Sequence, residues 1–206
     1  MKKSIFTLLL VLITLNVNAQ EETKQTELGF NVTGKLGFAK LNQSGMVNLN
    51  GSINAGEVLF FYRLESGTSF SVGAGMLDFN ANGVSDGESY ALKQSHLRIP
   101  INLNYSIFIL ENQLDSKLSA YGGIGVYANT LLKEEIQTID ETFKNKNQGW
   151  NAGLGFNVGL RFGVAKNMNF GIGFESQSDI TKMKKNGVER KLENINTINF
   201  IFRWNF

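Results

Sequence analysis

From residue 28 to the last residue, apolar side chains recur at every second position through one segment after another, and nothing else in the chain restricts its fold as tightly. Residues 28–39 put Leu28, Phe30, Val32, Leu36 and Phe38 on one face and Asn31, Thr33 and Lys35 on the other. A period of two is that of a β-strand, whose side chains point alternately to opposite faces, and not the 3.6 of a helix. The same alternation runs from Phe70 to Met76, Leu97 to Ile107, Leu118 to Tyr127, Ala152 to Phe162, Phe170 to Phe174 and Ile198 to Phe206. With the less regular segment 52–63, it predicts eight strands. Composition agrees, since 22 glycines against a single proline suit strands. A glycine weakens a helix interior by roughly 1 kcal/mol relative to alanine.

The connections differ in length. Leu64 to Gly67 and Val164 to Met168 read as tight turns, 108–117 as somewhat longer, and roughly 40–50, 80–94, 131–148 and 177–194 as long polar loops. The chemistry of the two faces then decides which solvent each one meets. One face is a series of Leu, Ile, Val and Phe, and the other is Asn, Ser, Arg, Glu and much Gly. Eight strands closed into a ring leave an interior just wide enough for side chains, so the small and polar face belongs inside and the aliphatic face in lipid. A soluble calyx would reverse the two. Closure also pairs the backbone groups that hydrocarbon cannot satisfy. The expected fold is all-β: an eight-stranded antiparallel up-and-down transmembrane β-barrel with short periplasmic turns and longer extracellular loops.

The first residues read as an address. Lys2 and Lys3 form a basic start, Ile5 to Leu15 an apolar core too short to span a bilayer, and Val17-Asn18-Ala19 a small-residue cleavage site. The expected division is a cleaved signal peptide at 1–19, a short periplasmic tail at 20–27 and an outer-membrane barrel at 28–206. Removing 1–19 takes away two Lys and no acid, which leaves 18 basic and 18 acidic residues. A neutral mature chain gives no reason to expect a nucleic-acid partner.

Ile198, Phe200, Phe202, Trp204 and Phe206 close the chain at every second position. This resembles the C-terminal assembly signal of bacterial outer-membrane proteins, which implies the barrel-assembly machinery and periplasmic chaperones as partners in biogenesis. Tyr62, Tyr105, Tyr127 and Trp150 are candidates for aromatic girdles. Residues 97–107, Leu-Arg-Ile-Pro-Ile-Asn-Leu-Asn-Tyr-Ser-Ile, and 121–127, Tyr-Gly-Gly-Ile-Gly-Val-Tyr, resemble the fourth and fifth strands of the PorT-like outer-membrane β-barrel domain family. The likeness spans about 28–206 and extends to small barrels of the OmpA and OmpX types. It implies fold and bacterial outer-membrane location, and for some members a role in protein secretion.

Motifs for chemistry are sparse. The absence of Cys excludes thiolate metal sites and cysteine nucleophiles, and His96 is the single histidine, so neither a metal site nor a cofactor is expected. Gly123-x-Gly125 and Gly153-x-Gly155 stay in strand periodicity with no helix to receive a phosphate. Ser95 points away from His96 in a regular strand, and the same-face neighbours Gln94 and Arg98 are not nucleophiles. We therefore expect no enzyme.

Two groups remain as candidate sites. Lys35, His96, Arg98, Arg161, Glu175 and Arg203 fall on the inward parity, joined by Glu57 if Val58, Phe60 and Tyr62 face outward. Leu59 and Phe61 blur that register and suggest a bulge. The expectation is that the arginines bind Glu57 and Glu175 in a polar network that plugs the lumen. The second group is a basic cluster in the last loop, Lys182, Lys184, Lys185, Arg190 and Lys191, with Lys144 and Lys146 nearby, which can bind lipopolysaccharide phosphates unless Asp179, Glu189 and Glu193 neutralise it. The function expected is structural or interaction-based, through the loops and with outer-membrane lipid or an envelope protein as partner. A secretion-machinery component and a small pore or carrier for an apolar ligand are the alternatives.

Overall fold

A computed structural model describes residues 26–45, 47–85, 87–111, 117–146, 149–165, 167–185 and 187–206, so the expected leader and most of the tail before Glu27 lie outside the described residues. Ten strands follow in order: β1 (Glu27–Gln43), β2 (Leu49–Arg63), β3 (Thr68–Ser85), β4 (Glu88–Glu111), β5 (Lys117–Gln137), β6 (Thr142–Lys146), β7 (Trp150–Ala165), β8 (Met168–Asp179), β9 (Met183–Lys185) and β10 (Val188–Asn205). Eight of them run up and down in antiparallel order β1-β2-β3-β4-β5-β7-β8-β10, and β10 closes on β1 from Gly29 opposite Asn205 to Gln43 opposite Arg190. The short β6 and β9 pair only with β5 and β10, at the end far from the termini.

The alternating segments form these strands because one face can be buried in hydrocarbon while the other meets the interior. Val32, Phe60, Val72, Ile101, Ile124, Phe156, Ile172 and Phe200 all stand exposed on the outer wall. Segment 52–63 contains no bulge, since β2 stays in register with β1 from Glu27 opposite Arg63 to Leu41 opposite Leu49. Leu59 and Phe61 simply point inward, where the Arg203 guanidinium lies 3.8 Å from the centre of the Phe61 ring. The irregularities fall elsewhere: at Phe38/Lys40 against β10, where Asn194 takes a φ of 51°, at Ser95/His96 and Phe108/Leu110 against β5, and at Gly163/Ala165 against β8.

The long loops expected over 40–50, 80–94, 131–148 and 177–194 are mostly strand. β1 continues to Gln43, β3 and β4 pair as far as Ser85 opposite Glu88, and β5 reaches Gln137 before turning into β6. Gly87, beside the Ser85–Glu88 pairing, takes a φ of 85°, in the left-handed region that favours glycine. Polar composition misled the reading there because these hairpins rise out of the bilayer and are solvated outside.

Their inner faces are apolar. Along β3, Phe70, Val72, Ala74 and Met76 face lipid, and then Leu77, Phe79 and Ala81 face inward while Asp78 and Asn80 face out. The register of β3 with β2 does not shift, so the strand keeps its alternation and only the chemistry changes sides. Leu41, Leu49, Ile53, Leu92, Leu192 and Ile195 join Leu77 and Phe79 in a buried cluster at this level. The barrel is thus apolar-out within the membrane and apolar-in above it.

Candidate functional site

The inward residues stack at three levels. Beside the apolar cluster, Glu134 gathers donors: Gln94 Nε2 at 2.7 Å, Asn145 Nδ2 at 3.1 Å and the Arg190 guanidinium. His96 Nε2 lies 3.3 Å from Gln94 Oε1, and its Nδ1 has no hydrogen-bond partner among the described residues. Ser95 points outward and donates to Asp78 at 2.6 Å, so serine and histidine occupy opposite sides of the wall. Arg190, placed by sequence in a surface cluster, is instead buried at 5% exposure, because residue 190 lies on the inward parity of β10 opposite Met183.

The middle level is centred on Lys35. Its Nζ stands 2.8 Å from Glu57 and 2.6 Å from Glu175. Asn199 Nδ2 donates to Glu175 at 3.0 Å, and Gln177 bonds the same carboxylate. Arg98 reaches only 3.9 Å from Glu57 and instead stacks 3.6 Å from the centre of the Tyr127 ring. Tyr127 in turn donates to Asp179 at 2.9 Å, as do Asn151 at 2.6 Å and the Leu192 backbone N–H at 2.7 Å. The expected arginine clamp is corrected to this extent: Arg98 keeps only the longer ion pair with Glu57, and Lys35 on β1 reaches both carboxylates, Glu57 on the neighbouring β2 and Glu175 on β8 beyond β10. Tyr127 is corrected too: it lines the lumen and no girdle, while Tyr62, Tyr105 and Trp150 do face outward.

At the lowest level, nearest the termini, Arg161 donates to Ser106 at 3.2 Å and lies 4.3 Å from the centre of the Tyr121 ring. Arg203 Nε donates to Asn31 at 2.9 Å. Neither meets Glu57 or Glu175. A Cβ on Gly153 would overlap the Tyr127 ring and one on Gly173 the Tyr121 hydroxyl, so these glycines make room for the two tyrosines. Strand parity puts Tyr121 on the inner face with no role assigned and Tyr127 in an expected girdle; Glu134 escapes the sequence reading because its segment, 131–148, reads as loop.

Outside the membrane, Lys182 and Lys184 both bind Glu189, at 2.8 and 2.5 Å, and hold its carboxyl at about 2. Lys191 binds Glu193, and Lys133 and Lys144 bind Glu135 at 2.9 and 3.6 Å. At the C-terminus Ile198, Phe200, Phe202 and Trp204 line the lipid face, and the Phe206 N–H donates to the Leu28 carbonyl at 2.8 Å. The Phe206 ring packs between Phe30 and Phe60, with centroids 6.1 and 6.2 Å away. Among the described residues, no group of three or more His, Asp or Glu is placed to hold a metal ion.

Among solved structures, the chain is similar to Neisserial surface protein A, at 16% identity over 86% of this chain and 97% of that one with a TM-score of 0.49. It is similar to the N-terminal β-barrel domain of Pseudomonas aeruginosa OprF, at 10% identity over 88% and 100% with a TM-score of 0.42. Ail, the attachment invasion locus protein of Yersinia pestis, matches at 12% identity over 87% and 99% with a TM-score of 0.40. No curated protein matches the sequence. The sequence matches the outer membrane protein beta-barrel domain family over residues 7–206, and with almost its whole length matched the chain belongs to that family.

Proposed function

We propose that this outer-membrane barrel works through its extracellular hairpins, which dock a protein at the cell surface, while its own polar side chains plug the lumen. The observation that carries the docking role is that every outer hairpin bears an exposed apolar side chain. Val47 lies between β1 and β2, Val84 at the end of β3, Ile139 and Phe143 around the β5–β6 turn, and Ile180 after β8. Lipid does not cover these positions, because the outer wall beneath them has already turned polar at Asp78 and Asn80. Apolar groups gathered at one end mark an interaction surface, whereas scattered ones need no explanation. The lysines next to them are less suited to lipopolysaccharide phosphate, since Lys182, Lys184 and Lys191 already hold carboxylates that a phosphate would have to displace.

The plug reading rests on the ion pairs around Lys35 and Glu134 together with the apolar cluster above them. It opposes a pore, and steady conductance of the unmodified protein in planar bilayers would contradict it. The docking reading is tested by crosslinking in intact outer membrane: a Val47→Ser, Ile139→Ser, Ile180→Ser variant should fold and lose the protein adducts that the unmodified chain gives. Unchanged adducts would refute it. If the captured partner belongs to an export apparatus, the secretion role implied by the PorT-like resemblance becomes the specific function.

A further inference from the structure

Above the membrane, backbone ladders close the wall on every side but one. β10 stays on β1 as far as Gln43 opposite Arg190, β3 on β4 as far as Ser85 opposite Glu88, and β4 on β5 as far as Ala91 opposite Gln137. β7 and β8 part at Gly153 opposite Asp179, and the short strands above them, β6 and β9, pair only with β5 and β10. Among the described residues no ladder joins β6 to β9. The gap is crossed at its lower end, where Lys185 Nζ donates to the Lys146 carbonyl at 3.4 Å and Gly149 comes against the Lys184 backbone. β6 is thus an edge strand, and all five of its residues are exposed. An unpaired edge presents a row of N–H and C=O groups on which another strand can form.

Two chemistries alternate along β6. Asn145 donates to the inward Glu134, so Phe143, two residues away, stands on that same side opposite Ile136 and is 52% exposed. Lys144 and Lys146 point the other way. Lys144 lies 3.6 Å from Glu135, and Lys146 has no carboxylate at ion-pair distance among the described residues.

We propose that β6 takes an extended segment of the partner protein as an added strand, and that this segment alternates acidic and apolar side chains. The inference rests on the docking role and names its mode. In strand addition the main-chain bonds supply affinity and alternate side chains supply specificity. Acidic groups opposite Lys144 and Lys146 make favourable cross-strand pairs, and the apolar groups between them cover Phe143. Lysines on an edge also keep unsuited strands away. A second copy of β6 is one of these, because it sets lysine against lysine.

The probe is a fluorescein-labelled synthetic peptide of repeated Glu-Val, titrated by fluorescence anisotropy into the full mature protein refolded in detergent micelles. Saturable binding is expected. A Lys-Val peptide of equal length should not bind, nor should a Glu-Val peptide N-methylated at every peptide bond, which keeps its side chains but cannot join a ladder. A Lys144→Glu, Lys146→Glu variant should weaken Glu-Val binding about tenfold or more, since two attractions become repulsions, and should admit Lys-Val. If it does not give the heat-modifiable band of a folded barrel, Lys146→Glu alone leaves the Lys144–Glu135 pair intact and should still weaken binding measurably. Absence of binding, equal binding of the N-methylated peptide, or binding unchanged in the lysine variants would each overturn the assignment. So would a dimer by sedimentation that excludes the peptide, which would give the edge to a second copy. Crosslinking in intact outer membrane separates this mode from docking itself. Adducts that persist in Lys146→Glu but vanish in the Val47→Ser, Ile139→Ser, Ile180→Ser variant would overturn strand addition and leave the docking role, whereas adducts lost in both support the two together.

Discussion

Lys35→Met makes the sharpest demand on the interior. The Lys35 ammonium lies 2.8 Å from one carboxylate oxygen and 2.6 Å from another, so those oxygens of Glu57 and Glu175 are no more than about 5.4 Å apart. With the ammonium gone, two negative charges at that separation repel by about 3 kcal/mol at an effective dielectric constant of about 20. Asn199 and Gln177 still donate to Glu175, and Arg98 remains near Glu57, which keeps the loss toward the lower end of the roughly 3–5 kcal/mol typical when one partner of a buried pair is removed. Glu175→Gln in the same background removes one of the repelling charges. The double variant should therefore be more stable than the sum of the two single losses by about 2 kcal/mol, a coupling well outside the few tenths expected of independent sites. Urea unfolding of protein folded into lipid vesicles, followed by the fluorescence of the outward-facing Trp150 and Trp204, gives the four free energies of the cycle. Additivity would mean that water solvates each charge separately, and the network reading would fall.

Other perturbations test the walls and the ends. Arg in place of Ile124 or Phe156, which face lipid opposite each other on β5 and β7, should cost about 2–4 kcal/mol if they lie near the midplane, whereas Asn157→Gln on the inner face should be mild; the reverse order in the same unfolding assay would invert the faces. Phe79→Ala should cost about 3–5 kcal/mol because the ring is fully buried above the membrane, and a loss no larger than that of the half-exposed Phe200→Ala would remove the apolar cluster from the account. Phe206→Ser should slow assembly, read from the rate at which the heat-modifiable band appears, far more than it lowers the stability of folded protein. The Glu189 carboxyl, held at about 2 by Lys182 and Lys184 and at about 4.3 in an unfolded chain, contributes stability above the unfolded value and loses it only as pH falls through the folded one. Amide exchange in the β9–β10 hairpin, corrected for intrinsic rates, should accordingly be unchanged between about pH 7 and pH 5.5 and rise as pH falls from about 4 toward 2.

Strand number, face assignment and ring closure were readable because a lipid-facing wall forces the simplest of patterns, one apolar side chain per two residues. The inward parity of Lys35, Glu57, Arg98, Arg161, Glu175 and Arg203 followed from the same count. What parity cannot supply is reach across the lumen. It does not say that Lys35 on β1 reaches carboxylates on both of its sides, that Arg161 settles on a tyrosine in place of Glu57 or Glu175, or that Arg98 stacks on Tyr127 while keeping a 3.9 Å ion pair with Glu57. Those choices depend on the height of each residue in the ring, which is set by the register between strands and by the glycines that leave space for Tyr121 and Tyr127.

The reading of long loops failed for a physical reason that is itself visible in the residues. In β2 and β3 the apolar positions change parity, from Ile53 and Ala55 to Val58, Phe60 and Tyr62 in the first and from Phe70 to Met76 to Leu77, Phe79 and Ala81 in the second. A change of parity in a chain read as one strand suggests a bulge or the end of the strand, and here it is neither, since the registers run through unbroken. A strand's side-chain directions are fixed by its pleat, so when the apolar set moves from one face to the other without a bulge, the dry side of the wall has moved. Below the change the dry side is lipid; above it, water surrounds the barrel and the only place left to bury Leu77 and Phe79 is the interior. The crossing points on neighbouring strands, Ala55 to Val58 on β2 and Met76 to Leu77 on β3, face each other across the ladder, as a common level requires. On β2 and β3 the position where alternation changes phase therefore reads as the edge of the hydrocarbon, while β1 keeps Leu36 and Phe38 outward at the same level of the ladder, so the edge does not follow the ladder around the whole ring.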